Sequence, residues 1–312
     1  MAATGPDVER LPSPWFGVFL PQLRMDYATI LRRTRVAEEA GFDSVWLMDH
    51  MAAPMAPEYD AFEGWTLATA LGTATERIRV GHLVLCDAFR HPALLAKMAA
   101  TLDVVTDGRL ELGIGWGSAP AELDTYGFGE TTPARRAARL AETLGILEKM
   151  FAGETFDHDG EFFRITGGMG RPRPVRGRVP IHIGGAGPTL TMPLVAEHAD
   201  WWNLPSYAHR KLDELRPLAG PARISVQHPV GLAGSATARD EVHDVAYRRF
   251  GKWGGLLTGT PDEVAAPLAG LAASGVEGFV IQFHDFGDEE SLRLFMADVA
   301  PAVREAAQAP LR

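Results

Sequence analysis

Apolar runs of strand length alternate with amphipathic runs of helical length along nearly all of this chain, and few folds accept that order. Strand-like segments fall at 16–20, 44–48, 78–85, 109–114, 180–183, 200–203, 224–227 and 278–282. Helical segments fall at 25–40, 65–75, 92–106, 133–151, 188–198, 208–218, 237–250, 261–274 and 288–307. Leu140, Leu144, Leu147 and Phe151 recur at helical spacing, Gly41 is placed as a C-cap and Thr260 as an N-cap. The run at 78–85 is apolar almost throughout, which suits a parallel sheet covered on both faces. Eight such units predict an α/β fold, a (β/α)8 TIM barrel, with an open doubly wound sheet as the alternative. Residues 152–179 are rich in glycine and proline and hold a hairpin-like piece at 155–165. They read as an insertion after the fourth strand–helix unit of a single domain, 1–312, with 1–14 as a disordered lead-in.

Composition narrows the partners. A net charge of -10 lacks the basic footprint that nucleic acid requires and argues against an anionic membrane surface. The single cysteine, Cys86, excludes a disulfide framework and reads as a buried, inert thiol. Residues 1–14 have no basic start and no apolar centre, and no apolar run approaches the ~20 residues of a membrane span. A soluble, cytoplasmic protein with no membrane partner is expected.

In a barrel the functional groups sit at the C-terminal ends of the strands. Two of those ends are glycine-rich: Gly113-Ile114-Gly115-Trp116-Gly117 and Gly184-Gly185-Ala186-Gly187-Pro188. Glycines between a strand and a helix let backbone N–H groups approach an anion, so the second stretch reads as a phosphate cradle. A tight strand-to-helix turn is the alternative there, and for the first stretch it is room left for a neighbouring strand. Neither has the spacing of a Walker A loop or a dinucleotide fingerprint. His50, after Asp49 at the second strand end, is the catalytic candidate, because an imidazole exchanges protons near neutral pH. The alternative is a loop-start histidine that packs or caps a helix. Metal-ligand patterns and a nucleophile elbow are absent, so no metal is expected. Arg171, Arg173, Arg176 and Arg178 read as a solvated loop or as a dock for a polyanionic tail, and Trp201-Trp202 as packing on the barrel exterior or strand end.

Taken in order, these motifs resemble one family. Phe16-Gly17-Val18-Phe19-Leu20-Pro21, Ala37-Glu38-Glu39-Ala40-Gly41-Phe42-Asp43-Ser44-Val45-Trp46 and Asp49-His50 are similar to the opening of luciferase-like monooxygenase family proteins. Thr75-Glu76-Arg77-Ile78-Arg79-Val80-Gly81, Arg90-His91-Pro92, Thr101-Leu102-Asp103, Gly108 through Gly115, Ile183-Gly184-Gly185, Ala199-Asp200 and Gly259-Thr260-Pro261-Asp262-Glu263-Val264 continue the likeness. It is strongest to the branch of coenzyme F420 (deazaflavin)-dependent oxidoreductases. The resemblance implies a TIM barrel with a flavin or deazaflavin at the strand C-termini. It implies Asp49 and His50 beside the tricyclic ring and a bulge with a non-proline cis peptide at Leu83-Val84. It also implies Trp116 and Gly117 along the ring or ribityl chain, and Gly184, Gly185, Ala186 and Gly187 around the phosphate. One position departs from the pattern. Where Ser118 stands, many relatives carry an acidic residue or a bulky aromatic, and the sugar-phosphate dehydrogenase of the branch uses a glutamate as acid. A serine hydroxyl is no acid at neutral pH, which argues against a sugar phosphate and leaves proton transfer to His50 or to the substrate.

Three chemistries fit this reading. The first is hydride transfer between coenzyme F420 and a small organic substrate. The second is an FMN monooxygenase using reduced flavin and oxygen, with a flavin reductase as partner. The third is a flavin-binding protein without catalysis. Relatives often form homodimers, although this sequence has no clear interface stripe.

Overall fold

The computed structural model describes residues 11–54, 56–129 and 132–308. Eight parallel strands close into a ring: β1 Trp15–Phe19, β2 Ser44–Leu47, β3 Arg79–His82, β4 Leu110–Gly115, β5 Ile181–Gly184, β6 Trp201–Leu204, β7 Arg223–Leu232 and β8 Gly278–Phe283. Each pairs with the next, and β8 pairs back onto β1 with Trp15 opposite Gly278. The barrel is therefore the one expected, and the open sheet is excluded. Helices cover the outside. Tyr27–Ala40 starts at Asp26, whose carboxylate accepts from Thr29 N at 2.8 Å, and ends at Gly41 with φ +97°, a left-handed conformation that glycine adopts without strain. Pro261–Ala273 starts with Thr260 and Glu263 in a reciprocal capping box.

The inside of the barrel is filled with aromatic rings and buried polar groups, among them a charged chain. Glu111 accepts from Arg79 Nη1 at 3.0 Å and meets His182 Nε2 at 2.7 Å. His182 lies edge-on to Trp46 at 4.8 Å and stacked on Trp201 at 5.8 Å. Removing one member would strand a buried charge, at about 3–5 kcal/mol. Trp201 thus points into the barrel, not onto its exterior. Its neighbour Trp202 points outward and is buried beneath the helices. Strand alternation puts consecutive residues on opposite faces, so the pair could not share one environment.

Other expectations shift for local reasons. Of the lead-in, residues 1–10 lie outside the described residues, whereas Leu11 is buried in one cluster with Trp15, Phe19 and Trp46. The segment 208–218 is not one helix. It divides into the 3-10 turns Ser206–Lys211 and Arg216–Leu218 around a single α-turn, Leu212–Leu215. Pro217 has no N–H with which to continue a helix. β7 runs on to Leu232 and pairs there with a short strand, Leu257–Gly259. The closing helix has a π-turn at Phe295–Val299. Residues between Pro133–Ala152 and β5 form an antiparallel hairpin, Phe156–Asp159 with Arg164–Gly168. The arginines that follow stay at the N-terminal end of the barrel. Arg176 lies beside Gly108, Arg178 pairs with Asp200 before β6, and Arg173 donates to Phe151 O at 3.4 Å. They face away from the rim where an anionic ligand would sit.

Candidate active site

The strand exits of β2 to β7 surround a cavity of about 510 Å³. Every site residue read from the sequence lines it: Asp49, His50, Leu83, Val84, Trp116, Gly117, Gly184, Gly185, Ala186 and Gly187.

The wall on the β3 side is a bulge. The strand stops at His82, the Leu83–Val84 peptide is cis, and pairing to β4 resumes at Leu85 and Cys86. Val84 projects across the ends of β4 and β5. A Cβ on Gly115 would lie 2.9 Å from Val84 Cγ2, and one on Gly184 would lie 3.1 Å from Val84 Cγ1. A Cβ on Gly113 would lie 1.8 Å from His82 O. The first glycine stretch therefore leaves room for its neighbour, and Gly184 shares that duty.

The β5 exit has a second role. Gly185, with φ +137°, donates to Asn203 O at 3.1 Å and accepts from Trp202 Nε1 at 2.8 Å, which pins the loop to β6. Its N–H is therefore taken and is no part of an anion cradle. Among the described residues the N–H groups of Ala186 and Gly187 have no internal partner. Beside them lies the Thr191 hydroxyl, which accepts from Trp116 Nε1 at 3.3 Å at the start of helix Thr191–His198. Two free amides, a hydroxyl and a helix N-terminus are the donor set a phosphate needs.

The β2 exit carries the titratable groups. Asp49 is buried, with both oxygens on the Arg90 guanidinium at 2.7 and 3.0 Å, and it also accepts from Cys86 N at 2.8 Å. It anchors the bulge from below. His50 keeps 25% of its side chain exposed, and its Nδ1 lies 2.8 Å from Glu122 Oε2. The other oxygen of Glu122 accepts from Met51 N at 2.6 Å. The sequence reading missed Glu122. It lies on a one-and-a-half-turn helix, Pro120–Thr125, that follows β4, and the proline after the glycine turn was the signal for that helix. Burial raises the Cys86 thiol to about 12, so it is inert, as expected. Gln22 faces away from the cavity and holds the Met48 backbone through two hydrogen bonds. No group of three metal-ligating side chains occurs among the described residues. No helix among them is long and apolar enough to cross a membrane.

This arrangement can be set beside known proteins. The luciferase-like monooxygenase family model matches residues 13–251. The chain belongs to the luciferase-like monooxygenase family. An F420-dependent glucose-6-phosphate dehydrogenase of Microbacterium testaceum is 38% identical over 157 residues, 50% of this chain and 46% of that enzyme. The chain thus spans about half the length of the curated relatives it matches. An F420-dependent secondary alcohol dehydrogenase, solved with an F420–acetone adduct, superposes with a TM-score of 0.77 at 19% identity over 94% of this chain and 99% of that one. EDTA monooxygenase from Chelativorans superposes with a TM-score of 0.80 at 15% identity over 96% of each chain. At these identities the two structures establish the shared barrel.

Proposed function

We propose that this luciferase-like chain is an oxidoreductase that transfers a hydride between coenzyme F420 and a small organic substrate. One observation carries the reading. The His50–Glu122 pair, the Leu83–Val84 bulge and the unpartnered amides of Ala186 and Gly187 all meet in one cavity. The curated relatives named F420-dependent dehydrogenases support the deazaflavin over FMN.

The residues present fit such a group. Ala186, Gly187 and Thr191 would hold its phosphate, and Leu83, Val84 and Trp116 would flank its ring. Bound there, a deazaflavin supplies two-electron hydride chemistry, because carbon in place of the flavin ring nitrogen disfavours one-electron reaction with oxygen. The chain supplies the rest. Glu122 occupies His50 Nδ1, so Nε2 is the nitrogen left to exchange a proton with the substrate. Asp49 and Arg90 hold the bulge, and with it one wall of the cavity, in place. Leu83, Leu85 and Leu123 keep that wall apolar and limit water.

Equilibrium titration of the purified protein with F420 and with FMN tests this. Saturable F420 binding with little FMN binding is expected, weakened by Gly187→Val, which would crowd Thr191 Oγ1, 3.2 Å from a Cβ at that position. Preference for FMN, with oxygen consumption on its reduction, would replace the proposal by a monooxygenase. Binding without turnover on a broad substrate panel would replace it by a carrier.

A further inference from the structure

Resting on that deazaflavin reading, we propose that Asn203 and Gln227 recognise the imide edge of the bound ring, its N–H and the carbonyls on either side. The cavity has unlike walls. On the β3 side Leu83, Val84 and Leu85 present apolar surface. β7 lies across the barrel from β3, with β6 beside it, and these two strands contribute Asn203 and Gln227 to the lining. A ligand that fills the cavity has to satisfy both.

Asn203 is the more informative of the two. It pairs with Gly184 on one side and Ser225 on the other, and strand alternation puts all three on the inner face. The residue is 2% exposed. Its Nδ2 donates to Ser225 Oγ at 3.0 Å, and that hydroxyl donates onward to Trp202 O at 3.4 Å. The relay holds the amide in one orientation, and Oδ1 has no hydrogen-bond partner among the described residues. Gln227 lies two residues further along β7 on the same face, and its side chain likewise has no partner among them. A ligand that fills the cavity shuts Oδ1 off from solvent, and a buried acceptor left unmet costs affinity unless the ligand brings a donor. The imide N–H of the deazaflavin is such a donor, fixed in the ring plane and protonated at neutral pH. The carbonyls beside it are acceptors, for which Gln227 Nε2 is a donor. Ribityl hydroxyls also donate, but they rotate to suit many partners, whereas an acceptor locked by Ser225 matches a donor that cannot rotate. Flavin and deazaflavin share this imide, so the inference concerns how the ring is held and not which ring is chosen.

The test compares the cofactor with its derivative methylated at the imide nitrogen, which has no N–H to give. Equilibrium titrations of the purified protein with F420 and with FMN come first. Absence of binding by either defeats the cofactor reading, whereas a bound cofactor indifferent to methylation defeats only this one. The unmodified protein should bind the methylated form at least ~10-fold more weakly, the scale of one hydrogen bond to a buried acceptor. Asn203→Ala should weaken binding of the parent cofactor about 10-fold and, with the acceptor gone and space opened, bind the two forms within about 3-fold of each other. Equal binding of the two forms by the unmodified protein overturns the proposal. So does a methyl penalty that survives in Asn203→Ala, because it would come from crowding elsewhere. Gln227→Leu should weaken binding of the parent several-fold with the methyl penalty retained, and unchanged affinity in that variant removes Gln227 from the recognition.

Discussion

His50 and Glu122 stand 72 positions apart in the chain, yet 2.8 Å separates their side chains. A carboxylate on one ring nitrogen fixes which nitrogen is free, so under the proposed function the pair would act through His50 and be tuned by Glu122. In F420-linked turnover, His50→Ala should lower kcat at least ~100-fold, the low end for general acid–base catalysis, with F420 affinity little changed. Glu122→Gln keeps a hydrogen bond but removes the charge, and should lower kcat by about 10- to 100-fold. Steady-state rates and cofactor titrations of both variants check this. Equal activity in His50→Ala would remove the histidine from the chemistry. His50 was legible because it follows Asp49 at a strand end. Glu122 was not, because an acidic residue on a surface helix has no distinctive local pattern.

At the level of elements, the bulge and its glycines form one packed unit. Gly113→Ala would drive a methyl group into His82 O, a backbone atom that cannot swing aside. The loss should exceed the ~1–3 kcal/mol usual for overpacking, read as a lowered urea midpoint or as failure to fold. A second unit joins β7 to the Ser206–Lys211 turn, where the rings of His228 and His209 lie 4.1 Å apart. Burial pushes His228 from 6.5 down to about 3, and His209 to about 4. Below pH 6.5 these two histidines take up protons in the unfolded chain that the folded chain refuses, so their contribution to stability falls as pH drops from 6.5 towards 3 and is constant well above 6.5. At about pH 4.5 His228 alone should have removed about 2–3 kcal/mol relative to neutral pH. His228→Asn retains an N–H for Gly255 O, 2.9 Å from Nδ1 in the parent, and should reduce that slope in urea titrations. An unchanged slope would assign the acid sensitivity to other groups. The glycines were visible as a cluster, but whether they bind an anion or clear space depends on Val84, which arrives from another strand.

For the whole molecule, closure is decisive. The family match ends at residue 251, but β8 pairs with both β1 and β7 and lies beyond it. A chain truncated after residue 251 would expose two strand edges and lose the inner face of β8, so it should aggregate and show no cooperative thermal transition by circular dichroism. A sharp transition in that fragment would mean that the ring is dispensable. Alternating apolar periods, capping residues at Gly41 and Thr260, and glycine-marked strand ends are local properties, and they determined by themselves that this chain forms a barrel with its candidate site residues on one rim. Contacts between distant segments decided the remainder: Trp201 inside and Trp202 outside, the arginine run at the opposite end, Gly185 tied to β6, and Glu122 on His50. Periodicity specifies that a strand has two faces, but only the closed ring assigns which face is the interior and which exits become neighbours.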